Sequence, residues 1–176
     1  NSGKVKWIKK IEEINYGPVI FFGNEFFDAL PIKQFLKKGK IWHERYVQFT
    51  SQTNKQYLDI PFDMEKFEKK IKYKVSYKQE FIEFSPQANE YLKNMTNKIK
   101  DNNGGILIID YGYTDKKMKN TLQAVSKHKY CNILDGFGDS DITYNLSFDL
   151  INRMIKEFGF FKSITTTQKK FLTELG

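Results

Sequence analysis

Asn24, Glu25 and Asp28 follow directly on a short apolar run, Val19 to Gly23, and Asp110 follows a second one, Gly105 to Ile109. Runs of this length, rich in β-branched and aromatic residues, suit parallel strands buried on both faces. The carboxylates then fall at the C-terminal edge of a sheet, where open α/β folds bind their ligands. Carboxylates from neighbouring strands can hold a positively charged group there. A competing account is local: Asn24 and Asp28 are also residues that cap helices and turns. Tyr111, Gly112 and Tyr113 extend the Asp110 strand into a tight aromatic loop, either the wall of a pocket or a structural turn.

The elements that must position these residues can be read on either side. Ser85-Pro86 opens the clearest helix, with Ala88, Tyr91, Leu92, Met95 and Ile99 at helical spacing and an end at Asn102-Asn103-Gly104. Helix followed by apolar strand makes a crossover between parallel strands, right-handed by the general rule. Asp110 is thereby expected at the same edge as Glu25. Between the two halves of this unit, Phe35 to Phe49 reads as a β-hairpin turning at Gly39, with His43 and Arg45 on its outer face. Lys72 to Phe84 reads as a second extended stretch, and Met64 to Lys70 as a surface helix or loop. This insertion is a lid or docking flap on one account and a small accessory sheet on the other.

Beyond Asp110 the pattern is less decisive. Met118, Leu122 and Val125 allow a short helix, while Thr121 to Val125 equally suits a strand. The stretch 136–141 is an acidic loop, and Ile142 to Leu146 is extended. Ser147 caps a helix whose buried face is Leu150, Ile151, Met154, Ile155 and Phe158, ending at Gly159. Phe160 to Thr165 reads as a strand and Gln168 to Leu175 as the start of a helix. At the other end, Val5 to Ile8 reads as a short strand. Nothing before Gly17 supplies the Gly-rich strand-to-helix turn that cradles a nucleoside cofactor, and the sequence stops where the helix begun at Gln168 should lead to another strand, so the chain reads as cut at both ends.

Composition bounds the alternatives. The chain of 176 residues is 40% hydrophobic and 16% aromatic, enough for one globular domain with a core. Its net charge of +8 lies mostly before residue 80, but the cations are dispersed and form no Arg-rich or aromatic-interleaved motif, so nucleic acid is not the expected partner. One cysteine, Cys131, and two separated histidines, His43 and His128, supply no metal-ligand spacing, and no metal is expected. No apolar run approaches the ~20 residues of a membrane span, so a soluble protein is expected.

Several of these pieces, in this order, resemble the MidA family, also called the DUF185 or NDUFAF7 family, of class I S-adenosylmethionine-dependent methyltransferases. The matching residues are Asn24 to Pro31 (NEFFDALP), Glu83 to Pro86, Ile109 to Tyr113, Thr121 to Val125 with His128, Gly138 to Thr143 (GDSDIT) with Phe148, and Thr167-Gln168 with Phe171-Leu172 and Leu175-Gly176. Ser147 stands where the family usually has Asp. The resemblance implies an α/β fold: a partial Rossmann-like methyltransferase sheet, strands four onward, with Val19 to Gly23 as strand four and Ile106 to Asp110 as strand five. Residues 1–176 would be the C-terminal portion of one such domain, with an insertion at about 32–84.

The resemblance also implies an activity: methyl transfer from S-adenosyl-L-methionine to an arginine on an acceptor protein, a respiratory complex I subunit in mitochondrial members. The family's Gly-rich cofactor loop lies on strands that precede this chain. Glu25, then Asp28, are the carboxylates expected to clamp the guanidinium, and Asn24 to reach the cofactor. Asp110, Tyr111, His128, Asp141 and Thr143 are expected around the acceptor. The rival readings are a non-catalytic assembly module docking an acidic partner on the basic hairpin Lys37 to Arg45, and, less favoured, a nucleic-acid methyltransferase. The expected compartment is the bacterial cytoplasm, with the mitochondrial matrix as the alternative.

Overall fold

The computed structural model describes residues 5–51, 54–135, 138–160 and 162–176. Its centre is a parallel pair, β1 (Val19–Asn24) and, after an excursion of some eighty residues, β6 (Gly104–Ile109), in register from Val19 opposite Gly104 to Asn24 opposite Ile109. The excursion runs through β2 (Lys33–Lys38), β3 (Ile41–Phe49), β4 (Lys55–Phe62), α1 (Met64–Ile71), β5 (Phe81–Phe84) and α2 (Pro86–Asn102). After β6 come β7 (Gly112–Tyr113), β8 (Gln123–Ser126), β9 (Lys129–Cys131), β10 (Asp141–Thr143), β11 (Leu146–Ser147), α3 (Phe148–Glu157) and α4 (Gln168–Leu175). The mixed α/β class expected from the sequence is observed, and among the described residues no helix is long and apolar enough to cross a membrane.

Helix α2 forms as its sequence dictates. The Ser85 hydroxyl accepts from the Ala88 N–H at 3.1 Å, Pro86 occupies the first turn, and Ala88, Leu92, Thr96 and Ile99 are buried. It packs on both β1 and β6 and delivers the chain to β6, where Gly104 has φ +134°. A Cβ at Gly104 would lie 1.7 Å from the Val19 carbonyl oxygen, so the close approach of the two strands requires glycine there.

One expectation about β1 fails. The strand is not buried on both faces: its residues alternate, with Ile20 77% and Phe22 64% exposed. The reason is architectural. The pair is two strands wide, α2 lies against it, and no described residue covers the side chains of Ile20 and Phe22.

The core sits instead between the antiparallel sheet, ordered β4-β3-β2-β5, and helices α1, α2 and α3. Phe35, Ile82 and Phe84 from β2 and β5 are essentially inaccessible, and Phe35, Phe62, Phe67 and Phe84 stack with centroids 4.6 to 5.6 Å apart. At about 1.5–3 kcal/mol for each fully buried side chain, this cluster is a principal source of stability. The hairpin turn at Gly39 is as expected, with φ +61°. Strand β4 was not legible because Pro61 interrupts its pattern; Pro61 is tolerated because β4 is an edge strand.

Other expectations are corrected in the same way. Only Phe81–Phe84 of the extended stretch 72–84 is strand. Lys72 ends α1 with φ +65°, and the buried Glu68 carboxylate then gathers the loop by accepting from the Ser76 N–H at 2.8 Å and hydroxyl at 2.7 Å. The ambiguous run 121–125 resolves as strand β8, central in the three-stranded sheet β10-β8-β9. Residues 5–8 form no strand, and the described part of 160–165 is irregular. Phe161 lies outside the described residues, as do Gly136 and Phe137 of the expected acidic loop. Ser147 caps α3, accepting from the Leu150 N–H at 3.3 Å, and Gly159 follows with φ +86°.

Candidate functional site

The parallel pair ends at Asn24 and Ile109, and the chain leaving β1 turns sharply across the end of β6. Glu25 donates its N–H to the Ile109 carbonyl at 2.9 Å and has φ +46°, a left-handed conformation that non-glycine residues seldom adopt. Such backbone cost, held by the surroundings, is a feature of sites. Glu25 is exposed, as is Asn24.

Asp110 fastens this turn. Its Oδ2 accepts from the N–H groups of Phe27 at 3.0 Å and Asp28 at 3.3 Å, and its Oδ1 from that of Tyr111 at 2.8 Å. Both oxygens are therefore committed to backbone. Burial, and next the charge of Asp28, hold its carboxyl above the usual range, while those three N–H groups act the other way. Asp110 sets the shape of the acidic turn more than it offers a free carboxylate.

Asp28 differs. It is 6% exposed, and its Oδ1 has no hydrogen-bond partner. Its pKa is raised, first by burial, then by the charges of Glu25 and Asp141, against N–H groups at Ala29 and its own backbone. Its carbonyl accepts from the Tyr144 N–H at 3.2 Å, which ties the turn to the β10–β11 connection. The Tyr144 phenol is buried and pushed well above its ordinary pKa, chiefly by that burial and then by the charges of Asp110 and Glu83. It stays protonated. Among the described residues no group of three or more His, Cys, Asp or Glu is arranged to hold a metal ion.

Glu25, Asp28, Asp110 and Asp141 are thus brought together at one sheet edge, coupled through hydrogen bonds or charge. Tyr111 is 63% exposed beside them. Thr143 lies two residues past Asp141 on β10, its hydroxyl accepting from Gln123 Nε2 at 3.2 Å across to β8. His128 is elsewhere in kind: with Lys127 it forms the tip of the β8–β9 hairpin, φ +50° and +61°, exposed, as a two-residue hairpin turn demands.

One positioning residue was quoted in the sequence motif but given no role. Glu83 on β5 is 5% exposed, and its carboxylate accepts from Gln34 Nε2 at 2.9 Å, the Thr121 hydroxyl at 2.6 Å, and the N–H groups of Thr121 and Leu122 at 3.1 and 3.2 Å. It anchors the start of β8, and through β8 the strand that carries Asp141. An isolated glutamate in an otherwise apolar strand, Phe81-Ile82-Glu83-Phe84, was the available signal.

A crossover parallel pair whose strands end together in an acidic turn defines the ligand-binding edge of a Rossmann-like α/β protein. The chain belongs, over residues 1–165, to the family described as "Putative S-adenosyl-L-methionine-dependent methyltransferase". The "Protein arginine methyltransferase NDUFAF7 homolog, mitochondrial" of Caenorhabditis elegans is 28% identical over 98% of this chain and 41% of its own length. The mouse "Protein arginine methyltransferase NDUFAF7, mitochondrial" is 25% identical over 98% of this chain and 39% of its own. The chain therefore spans about two fifths of these relatives.

Two crystal structures from Burkholderia thailandensis share the fold at 20% identity, with TM-scores of 0.68 and 0.65 over 90% of this chain and 43% and 42% of theirs. The second is bound to S-adenosyl-homocysteine. The family expected from NEFFDALP and the motifs after it is the family found.

Proposed function

We propose that this chain forms the acceptor side of an S-adenosylmethionine-dependent methyltransferase whose nucleophile is an arginine of a partner protein. The observation that carries the reading is the Asp28 carboxylate, buried, with one oxygen unpartnered, beside the exposed Glu25 at the strand edge. A buried anion with an unused acceptor is strongly stabilised by a cationic, multiply donating group, and a guanidinium is planar, permanently charged and rich in N–H donors.

The cofactor, when bound, supplies an electrophilic methyl group. In this reading the exposed Asn24 at the end of β1 meets its amino acid end. Glu25 clamps the guanidinium and orients one nitrogen for in-line attack. A nitrogen that took up that methyl group would have to shed a proton. Asp28, whose surroundings raise its proton affinity, receives it. Asp110 and Glu83 hold the geometry, and Tyr111, Asp141 and Thr143 border the acceptor. His128 remains assigned to the acceptor surface by the family motif alone.

The acceptor is a protein arginine, with a complex I subunit the partner suggested by the family. The proposed compartment is the bacterial cytoplasm, with the mitochondrial matrix, the direction in which the relatives' names point, as the alternative. Electrostatic docking of an acidic protein on the basic hairpin has less support. Lys37 pairs with Glu80, and Lys38 and Arg45 with Asp59, so that much of its charge is already neutralised within the sheet.

The test is Glu25→Gln in a chain that includes the relatives' additional residues. Methylation of the acceptor should fall about 100-fold or more, with S-adenosylmethionine affinity unchanged. Turnover close to wild type would remove Glu25 from this role.

A further inference from the structure

The three-stranded sheet that carries Asp141 has two unlike faces, and its register says which side chains share each. Tyr130 on β9 stands opposite Val125 on the central strand β8, and Val125 stands opposite Asp141 on β10, so the three form one row across the sheet. The next row on that face is Gln123 and Thr143, whose side chains are joined at 3.2 Å. The other face holds Ala124 with Cys131 and Ile142. Ala124 is 1% exposed, and Cys131 Sγ lies 3.4 Å from Ser140 Oγ, so that side is the packed one.

The Tyr130 face is open. Tyr130 is 78% exposed, and its ring and hydroxyl have no hydrogen-bond, ring or cation partner among the described residues; Asp141 is exposed as well. A solitary exposed tyrosine is ordinary. This one shares its row with a carboxylate, on strands that contribute no lysine or arginine to the face. Lys129 stands opposite Ser126 and belongs to the packed side, while Lys127 and His128 form the hairpin tip.

The same face runs up to the acidic turn. Thr143 ends β10, and the N–H of the next residue, Tyr144, donates to the Asp28 carbonyl at 3.2 Å. Asp141 lies two residues back along the strand, about 7 Å, and its charge is felt at Asp28. A chain segment leaving the turn across β10 therefore passes over Thr143 and Asp141 before it reaches Tyr130.

We propose that this face seats the stretch of acceptor chain beside the reactive arginine, and that the stretch carries a second cation, a lysine or arginine lying over the Tyr130 ring and against Asp141. For what the neighbouring turn does, the proposal rests on the methyltransferase reading above. An aromatic face attracts an ammonium or guanidinium group, and a carboxylate in the same row adds to that attraction. Strands ~4.8 Å apart place Tyr130 about 10 Å from Asp141, and an extended chain covers ~3.3 Å per residue, so the second cation falls within about four residues of the arginine.

Anisotropy titrations at low ionic strength test this on a chain that includes the relatives' additional residues. The probes are three labelled peptides with one arginine each, flanked by lysines, by serines or by glutamates. The lysine-flanked peptide should bind roughly tenfold more tightly than the serine-flanked one, and the glutamate-flanked peptide most weakly. Tyr130→Ala should weaken the lysine-flanked peptide about threefold and leave the serine-flanked one as it was, whereas Tyr130→Phe keeps the ring and the preference. In methylation of the lysine-flanked peptide, Tyr130→Ala should raise KM about threefold with kcat held. Equal binding of the three peptides, or a Tyr130→Ala protein that keeps the whole preference for lysine, would overturn the proposal. The two readings fail differently: a lysine preference that depends on Tyr130, without methylation, supports this seat and rejects methyl transfer, while methylation indifferent to Tyr130 does the reverse.

Discussion

At Asp28, the proposed function and stability pull against each other. Burial, with the charges of Glu25 and Asp141, raises the folded carboxyl above its ordinary value of 3.8, so the folded chain binds this proton more tightly than the unfolded chain does. The resulting stabilisation is complete below the ordinary value and is lost as pH rises through the raised one. At pH 7 the ionised side chain is therefore a burden on the fold. Asp28→Asn should raise the melting temperature at pH 7 by a few degrees while removing methylation, and the advantage should vanish towards pH 3; melts across that range decide it. Glu83 is the opposite case, a buried carboxylate whose oxygens are all engaged as acceptors. Glu83→Ala strands the N–H groups of Thr121 and Leu122 and should cost about 3 kcal/mol in urea unfolding.

Among the elements, those with one dominant physical signal were legible in sequence. Helix α2 announced itself through Ser85, Pro86 and its apolar spacing, and α3 through Ser147; the β2–β3 hairpin did so through Gly39. Strands β1 and β6 were found, and with them the convergence of Glu25, Asp28 and Asp110, because apolar runs ending in acids have few other readings. What stayed hidden depends on distant partners. Strand β4 is specified by pairing with β3 in spite of Pro61, and the loop after α1 by a carboxylate eight residues from the N–H it holds. The commitment of Asp110 to three backbone groups, the orphan oxygen of Asp28 and the anchoring by Glu83 are likewise tertiary facts. At this scale Gly104→Ala is the sharpest probe. Its Cβ would meet the Val19 carbonyl at 1.7 Å, so the β1–β6 register must break, and loss of more than about 3 kcal/mol is expected by denaturant titration.

The whole molecule has an incompletely covered sheet. Ile20 and Phe22 project from β1 into solvent, and the curated relatives are more than twice as long as the span matched here. If the additional chain covers this face, Phe22→Asp should cost about 2–3 kcal/mol in the longer protein and within about 0.5 kcal/mol of nothing in these 176 residues alone. Equal effects in both would place the covering elsewhere. The unsatisfied oxygen of Asp28 also bears on how such measurements are made. If this carboxylate is the proposed seat of a planar, delocalised cation, it will accept that cation from any source, including the salt in which proteins are commonly unfolded. Guanidinium chloride at low concentration should therefore behave as a ligand before it behaves as a denaturant, flattening the early part of the curve. Stabilities extrapolated from it should exceed those from urea, and Asp28→Asn should bring the two into agreement.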